Sequence, residues 1–200
     1  MVSVASPPPS FPVSPQFFIL PTGSELIRIY NPASQYKTQA LTFRTYGPIC
    51  RFDHQRPPRN NDPGRGIYYA AQSFSCCVVE YFQARVIEFG ELQVAIASLT
   101  RELKLLDLQG EGAMKAGCNV ATVTAVDTVL TQDWSRYFYE TYPEIDGLIY
   151  GSAHNAEPAI ALYERGQAGL QCDETIALAH PDLRPLLREI AEKNNLFLQN

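Results

Sequence analysis

The spacing of apolar positions changes several times along the chain, and each change predicts an element. "ELIRIYNP", from Glu25, alternates apolar and polar positions as a half-buried strand does, and Asn31-Pro32 ends it. "ALTFRTYG", from Ala40, reads as a second strand or an extended segment, and "GIYYA" as a short strand. From Ser73 to about Phe89 the period becomes helical, with Ser73 placed as the N-cap. "LQVAIASL" and "LKLLDLQG" predict two further strands, and "DWSRYFYETY" a helix. "GLIYGSAHN" followed by "AIALYERG" predicts two strands joined by a polar turn. "PDLRPLLREIAEKNN" predicts a terminal helix that opens on a proline. The mixed order of strands and helices, without an internal repeat, predicts an α+β fold: a mixed β-sheet core with flanking helices.

Residues 1–15, "MVSVASPPPSFPVSP", are too rich in proline for a helix and read as a flexible tail outside the fold. The remaining 16–200 suit a single domain, ample in length and 46% apolar, so a closed pocket can be buried. A net charge of −5 argues against direct nucleic-acid binding, which calls for a basic surface. Five cysteines, two of them adjacent and none in a CxxC pair, favour neither a disulfide framework nor a zinc site. The expected home is therefore a reducing cytoplasm. The N-terminus lacks a charged leader segment, and no apolar run approaches the roughly 18 residues of a membrane span, so export and membrane insertion are not expected.

Three constellations carry candidate chemistry. The first is Glu80, a lone carboxylate in the apolar body of the Ser73–Phe89 helix. Its helical neighbours Cys76, Cys77, Gln83 and Ala84 leave space beside it, so Glu80 projects either from a partly apolar ligand site or into solvent. The second is arginine: of twelve Arg against four Lys, Arg44, Arg51, Arg56, Arg59 and Arg65 fall within 22 residues. Arginine suits two-pronged recognition of phosphate oxygens, which makes a phosphorylated small molecule a candidate ligand; surface ion pairs are the alternative, favoured for Arg56 and Arg59. The third is Ser152, after a strand and a glycine. No GxSxG elbow surrounds it, which leaves a turn-capping serine as an equal reading. His54, His154 and His180 show no metal-ligand spacing, so no metal is expected.

Taken together, "LIRIYNP", "CRFDH", "GIYYAAQSFSCCVVE" and "GLIYGSAHN...AIALYERG" resemble the RES domain, found as the toxin of Xre/RES toxin–antitoxin pairs. The resemblance runs from about Leu26 to Arg165. Its most specific parts are a tyrosine eleven residues before the glutamate, here Tyr69 and Glu80, and a strand-Gly-x-x-Tyr-x-Ser segment ending at Ser152. It implies a fold similar to ADP-ribosyltransferases, with NAD as a consumed substrate and no bound cofactor. It also implies Glu80 and Arg51 as catalytic residues, and Arg28, Tyr30, Tyr69 and Ser152 as substrate-binding residues. The sequence departs from the family where "CRFDH" stands in place of a frequent "GRWN", and where Ile29 separates Arg28 from Tyr30.

The chemistry implied by the resemblance explains the residue types. Breaking the nicotinamide–ribose bond passes through an oxocarbenium-like state, which a carboxylate at Glu80 opposes with negative charge. Arg28 and Arg51 would hold the diphosphate, or inorganic phosphate as an attacking co-substrate. Tyr69 would pack on the nicotinamide ring, and Ser152 would bond the ribose or amide. The expected protein is an NAD-degrading toxin, a phosphorylase or glycohydrolase, silenced by an Xre-type helix-turn-helix antitoxin; a homodimer within a larger complex is compatible with this. The alternatives are a protein ADP-ribosyltransferase and a noncatalytic nucleotide-binding module that uses the arginine loop.

Overall fold

In the computed structural model, residues 5–83 and 85–199 are described. The strands are β1 (Phe17–Leu20), β2 (Glu25–Tyr30), β3 (Tyr46–Gly47), β4 (Asn60–Asn61), β5 (Ile67–Ala71), β6 (Val86–Ile87), β7 (Gln93–Leu99), β8 (Leu103–Asp107), β9 (Gly147–Gly151), β10 (Pro158–Tyr163), β11 (Leu170–Ala177) and β12 (Phe197–Leu198). The helices are α1 (Phe74–Tyr81), α2 (Glu111–Lys115), α3 (Val120–Val123), α4 (Thr128–Thr141) and α5 (Arg184–Asn194). Eight strands form one sheet in the order β1-β8-β9-β10-β5-β2-β7-β11. Only β8 and β9 run parallel; the other neighbours are antiparallel, so the sheet is mixed and the α+β class holds.

The centre of the sheet is apolar on both faces, which is why β5 and β9 read as unbroken apolar runs. Ile67, Ala71, Leu148, Tyr150, Ala159 and Ala161 belong to the larger core, with α1 and α4 against them. Tyr68, Ala70, Ile149, Ile160 and Leu162 belong to a second core with Leu26 and Phe43. Gly147 is required by this packing: a side chain there would strike the Ala161 carbonyl of the paired strand.

The Ser73 N-cap forms as expected, its Oγ accepting from the Cys76 amide at 3.0 Å. The helix it starts is shorter than the sequence period predicts. It ends at Tyr81, Gln83 donates to the Glu80 carbonyl, Arg85 turns the backbone left-handed at φ 64°, and Val86–Ile87 pairs with β12. Branched Val86 and Ile87 suit a strand better than a helix, and Ile87 is fully buried in that setting. Ala84, one of the predicted neighbours of Glu80, lies outside the described residues. "ALTFRTYG" is likewise not a full strand: it makes one bridge, Arg44 to Ile67, and the two-residue β3.

Strands β1 and β11 and helices α2 and α3 had no clear sequence signal. A register shift between Cys172 and Glu174 breaks the alternation of β11. Residues 5–15 form neither helix nor strand, and residues 1–4 of the predicted tail lie outside the described residues. The Ala5 carbonyl accepts from Trp134 Nε1 at 2.8 Å, and Pro9 and Val13 lie against Gly117, whose φ is +93°. Among the described residues, no helix is long and apolar enough to cross a membrane.

Candidate active site

Strand β5 carries Tyr69 on the face that α1 covers, and α1 carries Glu80 in its last turn, so the two residues eleven apart converge. The loop before β4 brings Arg51 to the same place. The three border a cavity of about 220 Å3, together with Cys50, Cys77, Tyr81, Gln83 and Tyr150. Arg51 Nη1 and Glu80 Oε1 are buried and have no hydrogen-bond partner among the described residues. Two opposite charges thus face one small, largely apolar space without satisfying each other, an arrangement that costs stability unless a ligand completes it.

Arg51 is held by its backbone surroundings. The fully buried Asp53 carboxylate accepts from the Ile49 and Cys50 amides, at 2.5 and 2.8 Å, and from both directions of Arg44 Nη2, at 2.7 and 2.8 Å. Tyr69 Oη donates to the same carboxylate at 2.8 Å and accepts from the Phe52 amide at 3.1 Å. On the far side, α4 grips the loop: Gln132 donates to the Cys50 carbonyl and Ser135 to that of Phe52. Gln83 borders both this cavity and a polar one of about 560 Å3 between α1, the turn after β9 and the end of α5.

Burial lifts the Tyr69 hydroxyl well above its ordinary pKa, with the Asp53 charge adding to the rise. The Tyr150 hydroxyl rises similarly through burial and the charge of Glu80, while Arg51 pulls it the other way. Both phenols stay protonated at neutral pH. Burial pushes the Cys77 thiol up to about 12, so it is not a thiolate nucleophile. These shifts leave Tyr69, Tyr150 and Cys77 neutral around the side chains of Arg51 and Glu80.

The other sequence candidates lie elsewhere. Arg28 points away from this cavity, donating to the Thr42 carbonyl at 2.7 Å and lying over the Tyr68 ring at 4.6 Å. It borders a separate cavity of about 350 Å3 with Tyr36, Tyr46 and Arg44. Burial raises the pKa of Cys77 and Tyr81, two walls of the first cavity, and the charge of Arg28 only partly opposes that rise. Tyr30 is buried at the end of β2. Ser152 is buried just past β9, its Oγ accepting from the His154 amide at 3.2 Å, and does not border the Arg51–Glu80 cavity.

Of the clustered arginines, only Arg51 reaches the cavity. Arg44 is ion-paired to Asp53 and Arg65 to Glu140 at 2.7 Å, while Arg56 and Arg59 are exposed. Tyr150 and Asp53 were not singled out by the sequence. The signal for Tyr150 was present: it is the tyrosine of the Gly-x-x-Tyr-x-Ser segment, two residues before Ser152.

Residues 25–184 match the sequence model of the RES domain. A curated relative, a probable toxin, y4kH, of Sinorhizobium fredii, is 29% identical over 84 residues, 42% of this chain and 66% of that one. The match thus spans just under two thirds of the relative's length. Among solved structures, the M. tuberculosis MbcT–MbcA toxin–antitoxin complex aligns with a TM-score of 0.60 at 18% identity, over 86% of this chain and 92% of that one. At that identity the likeness is one of fold, and it agrees with the mixed-sheet α+β architecture.

Proposed function

The chain belongs to the RES-domain family, and from that premise we propose that it is an NAD-cleaving toxin whose reaction takes place between Arg51 and Glu80. One observation carries this reading: the buried, unpartnered Arg51 Nη1 and Glu80 Oε1 border the same cavity, beside Tyr69 and Tyr150. The cavity is smaller than the roughly 300–1,000 Å3 of sites that enclose a whole drug-sized ligand. It suits one end of a dinucleotide, the nicotinamide ring and its ribose.

In this reading the ring packs against Tyr69 and Tyr150, whose neutral phenols add polar edges to an apolar wall. The bond between ribose C1 and the nicotinamide nitrogen breaks, and its electron pair leaves with nicotinamide. Glu80 opposes the positive charge left on the ribose. Arg51 holds an anionic partner, either the substrate diphosphate or an inorganic phosphate whose oxygen forms the new bond to C1. Arg28 acts from one layer back through its charge. Ser152 holds the turn after the strand of Tyr150. Tyr30 contributes burial at the end of β2.

The partner in this account is a toxin-neutralising protein of the Xre helix-turn-helix type, as the toxin–antitoxin character of the fold relative suggests. The reaction is tested by incubating the purified chain with NAD, with and without inorganic phosphate. Phosphorolysis yields nicotinamide and a phosphate ester of ADP-ribose only when phosphate is present. Equal turnover without phosphate assigns the bond cleavage to water. ADP-ribose appearing on a protein band instead identifies a transferase, and intact NAD in every arm removes the proposal.

A further inference from the structure

Asp53 does not border the cavity, yet both of the cavity's tethered walls run through it. The two amides it accepts from belong to the residues immediately before Arg51, and the Tyr69 hydroxyl it accepts from binds the amide immediately after Arg51. Arg51 Nη1 has no partner among the described residues, so the backbone on either side sets where its guanidinium goes. The same carboxylate fixes the Tyr69 hydroxyl, and with it the ring that borders the cavity. A buried carboxylate is tolerated there because Arg44 Nη2 donates to both of its oxygens and supplies the opposite charge.

We propose that Asp53, with Arg44 as its counter-ion, is a positioning residue that joins Arg51 and Tyr69 into one unit facing Glu80. This rests on the reading of that cavity as the NAD-cleaving site. Every group facing the Asp53 carboxylate is a donor. In Asp53→Asn one oxygen becomes an NH2 group, which sets a donor against Arg44 and against either the loop amides or the Tyr69 hydroxyl. The loop then relaxes, and Arg51 and Tyr69 lose their shared register. Displacements of about 1 Å at a reacting centre are enough to cost on the order of tenfold to a hundredfold in rate.

Asp53→Asn is compared in two backgrounds, wild type and Arg51→Ala, at a temperature where all variants are folded. The positioning role predicts a loss of roughly tenfold or more in NAD turnover in the first background and a clearly smaller further loss in the second, where only Tyr69 is left to be positioned. Equal fold-losses in both backgrounds would overturn it. Arg44→Lys, which keeps the charge but loses the second guanidinium nitrogen and its bond to the Tyr46 carbonyl, shows the same pattern more mildly and replaces Asp53→Asn if that variant fails to fold. A second readout needs no activity: in protein with labelled tyrosine and arginine, the nuclear resonances of the Tyr69 ring and Arg51 Nε, assigned through Tyr69→Phe and Arg51→Ala, shift together in Asp53→Asn. Unmoved resonances sink the proposal even if the wild type leaves NAD intact, an outcome that would itself refute only the reaction.

Discussion

At the scale of single residues, Glu80 shows what a sequence can and cannot convey. An isolated carboxylate in an apolar helix has two possible surroundings, and only the third dimension supplies Arg51 and Tyr150 beside it. Tyr69 was legible through its spacing from Glu80. Asp53 was not, because its value lies in five hydrogen bonds drawn from residues 44, 49, 50 and 69. Arg28, Tyr30 and Ser152 stand in the expected segments, but Arg28 borders another cavity and Tyr30 and Ser152 are buried without lining the one between Arg51 and Glu80. Another buried titratable residue makes a prediction independent of the cavity. His54 is fully enclosed, accepts or donates at Glu164, and burial lowers its pKa below the ordinary 6.5 despite that carboxylate. Between the folded value and 6.5 the unfolded chain binds more protons, so acidification favours unfolding. Thermal stability should begin to fall as pH drops below 6.5, and His54→Phe should flatten that part of the profile. An unchanged slope in the variant would show that His54 is not the titrating group.

At the scale of elements, the strands around the site were the most legible part of the chain. β2, β5, β7, β8, β9 and β10 each carry a clear apolar run or alternation and sit where those patterns place them. Short or irregular pieces escaped: α2 and α3 are five and four residues long, and β11 is interrupted by its bulge. The over-long helix expected there has a specific cause, since Val86, Ile87 and Phe89 fit a helix period as well as a strand, and nothing in that period marks the left-handed turn at Arg85. The start of α1 is bound to the turn just before β10 by Glu157, which accepts from Ser73 and Ser75. Burial works against ionising Glu157, but these hydroxyls and Lys193 hold its pKa below the ordinary 4.5. Ser73→Ala removes both the N-cap and one of these bonds, and should cost about 1–2 kcal/mol of stability, read by thermal or denaturant unfolding. A loss confined to a few tenths would mean that α1 is held chiefly by its packing against β2 and β5. Because Glu80 lies at the other end of the helix, turnover in the folded variant should change little.

At the scale of the whole molecule, one mixed sheet with α1 and α4 against the same face brings a loop, a strand and a helix to a single cavity. An acidic chain whose arginine cluster sends only Arg51 to the cavity of Glu80 is suited to a small anionic ligand better than to a polyanion. Expression without its neutralising partner should arrest growth and lower cellular NAD; cells that keep both at normal levels would contradict the toxin reading. The most direct test is the rate of NAD consumption by purified wild type and Glu80→Gln, compared where both are folded. The substitution keeps the shape and removes the charge, and loss of such charge stabilisation is worth roughly 3 kcal/mol, on the order of a hundredfold in rate. The account predicts that loss without a loss of thermal stability, because the charge removed has no hydrogen-bond partner at Oε1 among the described residues. Equal NAD consumption by the two proteins would contradict it.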